Sequence, residues 1–327
     1  MTTSHNEGNH IPASLVHHSM LRHYPHLQVA PSAETQALYE QMQEHDVPAL
    51  PTVYANNLPQ ALSSFVGRER EIEAIRHLLR DVGTNGRASV RLLTLTGAGG
   101  CGKTHLALKI SETILRDYPD GVWWVDLASQ SDSKLVAQSV ATALNLREAS
   151  HRSIDQQLEE RFGTKQALLV LDNCEHLIDA CAQLVRALLR ASPHLQILAT
   201  SREALGIEGE TIWLLVPMPV PDHGPLPALK ILQQFESVSL FIERAHAGYP
   251  NFTLTHENAE AVARICRQVE GLPLAIELAA ARLKALSVEE IAERLTENFQ
   301  LPTGSSRTLT LRHQPLSATI DRSYRLR

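Results

Sequence analysis

Eight consecutive residues, Gly97 to Thr104, have the types and the spacing to hold a chain of phosphates. Their sequence is GAGGCGKT. Glycines allow backbone N–H groups to converge on phosphate oxygens, because no Cβ forbids the dihedral angles that this requires. Lys103 supplies a point charge for the β- and γ-phosphates, and the Thr104 hydroxyl is placed to ligate Mg²⁺. The segment is therefore predicted to be a phosphate-binding loop.

A strand and a helix must position this loop. The segment before it, Val90 to Thr96, is rich in β-branched and aliphatic residues, and apolar residues recur at helical spacing after it. The helix that begins here adds the positive end of its dipole and its unpaired N–H groups. A glycine turn before a helix can arise by chance, but the full pattern after a good strand favours phosphate binding. The predicted phosphate contacts are Gly97, Gly99, Gly100, Cys101, Gly102, Lys103 and Thr104.

Two later apolar segments end in residues that suit the same chemistry. The first, residues 167–173, ends in Asp172, which can hold the water shell of Mg²⁺; the alternative is an Asp that caps the next helix. The second, residues 195–202, ends in Arg202. Because α/β sheets place ligands at the carboxyl ends of their strands, Arg202 is expected at the γ-phosphate, unless it is an ordinary surface arginine.

Apolar segments and helical patterns alternate from Val90 to Val216, which predicts a parallel sheet with helices on both faces. The predicted strands are 90–96, 121–128, 167–173, 195–202 and 212–216. From Leu229 the pattern is helical only, which indicates a small all-α bundle. The predicted helices include 134–146, 153–162, 229–247, 258–270, 273–285 and 288–297. The expected fold is thus an α/β, P-loop NTPase sheet followed by a helical bundle.

Composition narrows the classes of function. The chain has 327 residues and a formal net charge of −6, which argues against a broad nucleic-acid-binding surface, though not against a local basic patch. Its four cysteines include no CxxC pair, which favours a reduced, cytoplasmic protein. No signal peptide opens the chain, and no apolar run is long enough to cross a bilayer, so no membrane partner is expected.

The first 57 residues are rich in histidine and end in a proline-containing linker. Metal binding by these histidines is the alternative to a solvated tail, but their spacing is irregular. Residues 26–42 resemble the closing segment of the bacterial transcriptional activation domain, a tetratricopeptide-like module. An ordinary amphipathic helix is the alternative for that segment.

Four motifs stand in one order along the chain: FVGRERE, GAGGCGKT, LLVLDNCEHL and ILATSR. A fifth, GLPLAIELAAARL, follows in the helical part. Together they resemble the NB-ARC class of STAND ATPases, in the branch attached to bacterial LuxR-type and SARP/AfsR-type transcriptional regulators. The resemblance covers about Leu58 to Leu326.

This resemblance implies ATP or ADP with Mg²⁺ as ligands. It places Val66 and Arg68 around adenine, Asp172 at Mg²⁺, Arg202 as the nucleotide sensor, and Pro273 against the base. It also implies a nucleotide-binding domain at 58–224, a helical domain at 225–300 and the start of a winged-helix domain at 301–327. A nucleotide between the first two could set their relative orientation.

Two features depart from the family pattern. Asn173 stands where many relatives have a second acidic residue, and an amide cannot act as a base; Glu175 is the candidate substitute, or it serves the dipole of a helix start. The resemblance also implies a longer protein, so the chain is expected to be truncated, with DNA contacted only through domains that it lacks.

Several functions remain open on this basis. The leading one is a signal-transduction ATPase with slow turnover, working with regulatory partner domains or by self-association. A non-hydrolysing nucleotide scaffold is the second. An origin-recognition-type AAA+ ATPase acting on DNA and a small-molecule phosphotransferase are weaker alternatives.

Overall fold

Five parallel strands form a single sheet in the order β2-β3-β4-β1-β5. The computed structural model describes residues 54–80, 90–146 and 151–299. Its strands are β1 (Leu92–Thr96), β2 (Val122–Asp126), β3 (Leu168–Asp172), β4 (Gln196–Thr200) and β5 (Glu210–Leu214). β1, β3 and β4 are buried at every position, as expected for parallel strands covered by helices on both faces.

Ten α-helices accompany the sheet in the described residues. They are α1 (Glu69–Arg80), α2 (Lys103–Ile114), α3 (Val136–Ala143), α4 (Ile154–Phe162), α5 (Ile178–Ala191), α6 (Leu229–Leu232), α7 (Glu236–Gly248), α8 (Ala259–Gln268), α9 (Pro273–Ala281) and α10 (Val288–Phe299). Local sequence accounts for several starts: Ser153 and Gln156 form a capping box before α4, and Pro273 is the first residue of α9.

The described residues form three apolar cores. One packs α3, α4 and α5 against one face of the sheet, and a second packs α1 and α2 against the other. The third lies within the helices after β5 and is built from their own buried residues. Trp123 and Trp124 point into the two sheet cores, as their apolar surroundings predict. The predicted α/β sheet followed by a helical bundle is confirmed.

The sequence-based helix bounds were wrong in three places. The helix predicted at 229–247 is two helices, because the chain turns through Gln234 and Phe235 before α7 begins. The helix predicted at 134–146 ends at Ala143, because Asn145 takes the left-handed conformation and stops it. The helix predicted at 273–285 ends at Ala281 and continues as a short 3-10 turn.

The linker predicted up to Pro59 includes residues that extend the sheet. The Ala55 carbonyl accepts from the Val122 amide at 3.0 Å, and Asn57 exchanges hydrogen bonds with the Trp124 backbone. The predicted tail upstream, residues 1–53, and the predicted start of a winged helix at 301–327 lie outside the described residues. None of the helices in the described ranges has the length and apolar character that a membrane crossing requires.

Strand order positions the candidate site. β4 lies between β1 and β3, so the end of β4 falls between the glycine loop after β1 and Asp172 at the end of β3. All three strands run parallel, so these ends share one edge of the sheet.

Candidate nucleotide-binding site

A cavity of about 430 Å³ lies between this edge of the sheet and the N-terminus of α9. Its polar end is formed by the glycine loop together with Thr200 and Arg202, and its other end by residues before α1 and by α7 and α9. The lining residues are Ser64, Phe65, Val66, Arg68, Gly99, Gly100, Gly102, Lys103, Thr104, His105, Asn173, Glu175, Thr200, Arg202, Met218, Leu240, Arg244, Pro273, Leu274 and Glu277.

The loop has the backbone geometry of a phosphate cradle. Gly100 and Gly102 have φ values of 78° and 95°, in the left-handed region that glycine adopts without strain. Gly102 is also the residue before the first turn of α2, so the unpaired amides of that turn open toward the loop. The Lys103 ammonium donates to the carbonyls of Gly97 at 2.9 Å and Ala98 at 3.1 Å. The loop thus holds its only lysine over its own backbone, at the cavity wall.

Arg68 fixes the loop from behind. Its guanidinium is buried and donates to the Cys101 carbonyl at 3.1 Å and to the Val216 carbonyl at 2.8 Å. It also pairs with Glu71 at 3.1 Å. The side chain therefore ties the glycine loop to the segment after β5. Adenine contact, the role that the resemblance implies for Arg68, stays a prediction.

Asp172 receives two hydroxyl hydrogen bonds on one carboxylate oxygen. Thr104 donates at 2.9 Å, and Thr200 at the end of β4 donates to the same atom. The Thr200 hydroxyl also accepts a hydrogen bond from the backbone N–H of Asn173 at 2.9 Å. Burial raises the pKa of Asp172 above its ordinary range, and the two hydroxyl donors act in the opposite direction. Thr200 thereby aligns the carboxylate next to Thr104.

The adjacent Thr104 hydroxyl and Asp172 carboxylate fit a Mg²⁺ ion. Both are hard oxygen ligands, and Mg²⁺ is typically held by one or two such groups together with phosphates and water. Bound there, the ion would shield phosphate charge. Among the described residues, no group of three or more His, Cys, Asp or Glu side chains forms a metal site.

Glu175 and Arg202 form an ion pair at the mouth of the cavity, with Nε and Oε1 3.2 Å apart. The hydrogen-bond pattern orients the Asn173 amide nitrogen toward both Glu175 oxygens, at 3.2 Å each. Asn173 itself has a φ of 68°, a left-handed conformation that asparagine tolerates better than most residues. Both partners of Glu175 are therefore donors, and they hold it beside the predicted γ-phosphate edge.

The helical bundle closes the cavity from the opposite side. The Leu274 amide donates to the Gly100 carbonyl at 3.2 Å, and Pro273 lies 3.8 Å from the position a Cβ would take on Gly102. The Glu236 carboxylate of α7 accepts from the Arg68 amide at 2.9 Å. The bundle thus contacts the glycine loop directly at one point and through Arg68 at another.

Ten of the residues predicted from sequence line this cavity: Val66, Arg68, Gly99, Gly100, Gly102, Lys103, Thr104, Glu175, Arg202 and Pro273. Gly97, Cys101 and Asp172 do not line it. Gly97 and Cys101 act through backbone carbonyls that accept from Lys103 and Arg68, and Asp172 lies buried behind Thr104. The ligand contacts assigned to all thirteen stay predictions.

Sequence reasoning missed five polar residues of the site: Ser64, His105, Thr200, Arg244 and Glu277. Thr200 stands in the motif ILATSR, whose position at a strand end could have suggested it. Arg244 and Glu277 carry no such signal, because a charged residue on an amphipathic helix is most often on its solvated face.

Most of the described chain is similar to known proteins. Residues 64–199 match the family model for the AAA ATPase domain. The chain is 44% identical over 239 residues to a protein of Mycobacterium tuberculosis named as an HTH-type transcriptional regulator, covering 73% of this chain and 25% of that protein. The chain therefore spans about a quarter of the length of that relative.

Two further proteins are similar to this chain at lower sequence identity. The regulatory protein AfsR of Streptomyces coelicolor is 29% identical over 165 residues, covering 43% of this chain and 16% of AfsR. Among solved structures, a STAND protein with a tetratricopeptide repeat sensor from Pyrococcus horikoshii superposes with a TM-score of 0.45 at 18% identity, covering 76% of this chain and 34% of that one. The glycine loop and the parallel sheet have the P-loop NTPase fold, and residues 64–199 are similar to the AAA ATPase domain.

Proposed function

We propose that this chain is the nucleotide-binding switch module of a transcriptional regulator. It holds ATP or ADP with Mg²⁺ between the P-loop domain and the helical bundle, which we divide at 58–224 and 225–300. The nucleotide state would then set how tightly the bundle closes, and regulatory domains beyond this chain, or further copies of it, would respond.

One observation carries the proposal. The cavity is lined at once by the phosphate loop and by Pro273 and Leu274 of α9, and Leu274 donates directly to the Gly100 carbonyl. A ligand on the loop must therefore contact or displace the bundle. Because the ligand can shift an equilibrium only by differential contacts, this shared wall gives it a means to do so.

The similarity to named regulators supports the proposal that this module belongs to a transcriptional regulator. The M. tuberculosis relative is named as a helix-turn-helix regulator, and AfsR as a regulatory protein. The net charge of −6 agrees with a module that reaches DNA only through other domains, within a cytoplasmic protein.

A non-hydrolysing nucleotide holder is the second candidate, and one observation favours it. Asn173 cannot accept a proton, and Glu175 is already engaged by Arg202 and by the Asn173 amide. A carboxylate whose oxygens are already occupied by two donors is poorly placed to take a proton from an attacking water, so hydrolysis would be slow or absent.

The test is to measure binding of ADP and ATP calorimetrically, and phosphate release in the same samples, for the wild type, Glu175→Gln and Asn173→Asp. We expect binding in all three, and release in the wild type that falls with Glu175→Gln. Release unchanged by Glu175→Gln contradicts the role of Glu175, and release at background in the wild type supports the holder. A folded wild-type protein that binds neither nucleotide contradicts both functions.

A further inference from the structure

The end of the cavity away from the phosphate loop combines an apolar slot with one charged pair. Val66, Met218 and Leu240 line the slot, and Met218 and Leu240 are nearly fully buried. Arg244 of α7 and Glu277 of α9 line it as well. Apolar side chains with a few fixed polar groups are the usual lining of a small-molecule site, and such a lining suits the apolar faces of a heteroaromatic ring.

Arg244 holds Glu277 in place. Its Nε donates to Glu277 Oε1 at 2.9 Å, while its terminal nitrogens donate to the Ser64 carbonyl at 2.8 Å and to the Ser64 hydroxyl at 3.2 Å. The guanidinium thereby compensates the carboxylate charge that would otherwise repel a nucleotide. Within the described part of the chain, the second oxygen of Glu277 accepts no hydrogen bond. An acceptor is therefore available at the cavity wall.

Helix register places this acceptor beyond the phosphates. Glu277 follows Pro273 by four residues on α9, so the two side chains share a face and stand about 6 Å apart. Pro273 lies over Gly102 of the phosphate loop. Glu277 is thus one turn farther from the loop, level with the nucleoside half of a ligand whose phosphates occupy the loop.

We propose that Glu277 is a specificity-determining residue that accepts a hydrogen bond from the 6-amino group of adenine. The inference deepens the proposed function and rests on it. One available oxygen suits the single amino donor of adenine, whereas guanine presents two neighbouring donors that match both oxygens of a carboxylate. The apolar slot around Glu277 favours the ring over the ribose as its partner.

The experiment compares dissociation constants of ATP and of purine riboside triphosphate, which lacks the 6-amino group, for the wild type and for Glu277→Ala. We expect the wild type to bind ATP about tenfold more tightly, since one hydrogen bond to a charged acceptor is lost in the analogue. Glu277→Ala should bind the two ligands equally. Glu277→Gln keeps the volume and an acceptor, so it should retain part of the preference if Glu277→Ala folds poorly.

Glu243→Ala is the matched control, because Glu243 also flanks Arg244, at 3.9 Å, but does not line this cavity. It should keep the full preference for ATP. Equal binding of ATP and the analogue by the wild type overturns the inference while leaving nucleotide binding intact. Discrimination against 2′-deoxy-ATP or in favour of GTP that disappears in Glu277→Ala also overturns it, and reassigns the carboxylate to ribose or guanine. Failure to bind any of these ligands contradicts the proposed function itself.

Discussion

The two walls of the cavity are built on different principles. The sheet wall presents five residues of the glycine loop, which offer mainly backbone and one lysine side chain: Gly99, Gly100, Gly102, Lys103 and Thr104. The bundle wall presents side chains from two helices, α7 and α9, held together by the Arg244–Glu277 pair. Backbone amides suit phosphate, which is the same in every nucleotide, whereas side chains distinguish one nucleoside from another.

This contrast separates binding from selectivity and from switching. Substitutions in the sheet wall should weaken the binding of every nucleotide to the same extent. Losses on the bundle wall should change which nucleotide is preferred and how firmly the bundle closes. Four experiments test this contrast between the two walls, and the largest expected change in affinity comes first.

Lys103→Ala should weaken ADP and ATP binding by about a hundredfold, because the loop loses its charged hydrogen bond to the phosphates. The measurement is a calorimetric titration with each nucleotide. Lys109→Ala is the control, since Lys109 is a partly exposed lysine farther along the same helix that pairs with Glu112 at 3.6 Å. Equal affinity in Lys103→Ala and Lys109→Ala would remove the sheet wall from the site.

Asp172→Asn should reduce the Mg²⁺-dependent tightening of ATP binding by about tenfold, because a neutral amide is a much poorer ligand for Mg²⁺. Binding of ATP in EDTA should be nearly unchanged, and this comparison isolates the metal from the loop. Asp126→Asn serves as control: Asp126 ends the neighbouring strand β2, but its carboxylate accepts from the Ala128 backbone amide, whereas that of Asp172 accepts from Thr104 and Thr200. A loss of the same size in EDTA would contradict the metal role of Asp172.

Gly100→Ala should disturb closure more than Gly102→Ala does, by a few-fold in ADP affinity. Both positions have positive φ, so an alanine costs about 1–2 kcal/mol at either. Only at Gly100 would the new Cβ also press on Leu274, at 3.0 Å, against 3.8 Å to Pro273 from Gly102. Adding Leu274→Gly, which removes the Cβ at 3.0 Å, should abolish the difference between the two glycine variants. If the two glycine variants bind ADP alike, contact of the bundle with the loop does not govern affinity.

Alkylation of the buried cysteines should report the two walls separately. Cys101 lies in the loop and Cys266 in the bundle core, and neither is exposed. Burial raises the pKa of the Cys266 thiol to about 12. The uncharged thiol therefore makes its full contribution to the free energy of unfolding at neutral pH, and this contribution is lost only as the pH rises toward that value.

At pH 8, iodoacetamide should therefore modify Cys266 only when the bundle unfolds. Cys101 should react through loop opening, and ADP should slow it a few-fold more than it slows Cys266. Peptide mass spectrometry after timed labelling measures both sites in one sample. Equal protection by ADP would indicate that the loop and the bundle open together.

The glycine loop of the sheet wall could be predicted from the sequence without a structure. Gly97 to Thr104 could be recognised because a phosphate loop is local: strand, glycines, lysine and helix follow one another within a short segment. Asp172 and Arg202 were found for a related reason, since each comes directly after an apolar segment that predicts a strand. The four buried strands were likewise predicted, because parallel buried strands are continuous apolar runs. The fifth strand, β5, is partly exposed along its length, and its predicted bounds of 212–216 lie two residues after the observed Glu210–Leu214.

The remaining contacts of the site became visible in the three-dimensional structure alone. Thr200 reaches Asp172 because β4 lies between β1 and β3, and no pattern within a strand specifies its neighbour. Arg68 turns inward to the Cys101 carbonyl, although its sequence position suggested contact with a base. Arg244 and Glu277 meet across 33 residues of chain. Helical periodicity tells which face of a helix is apolar but not which charged side chain it brings to another helix, so the bundle wall depended on packing between distant segments.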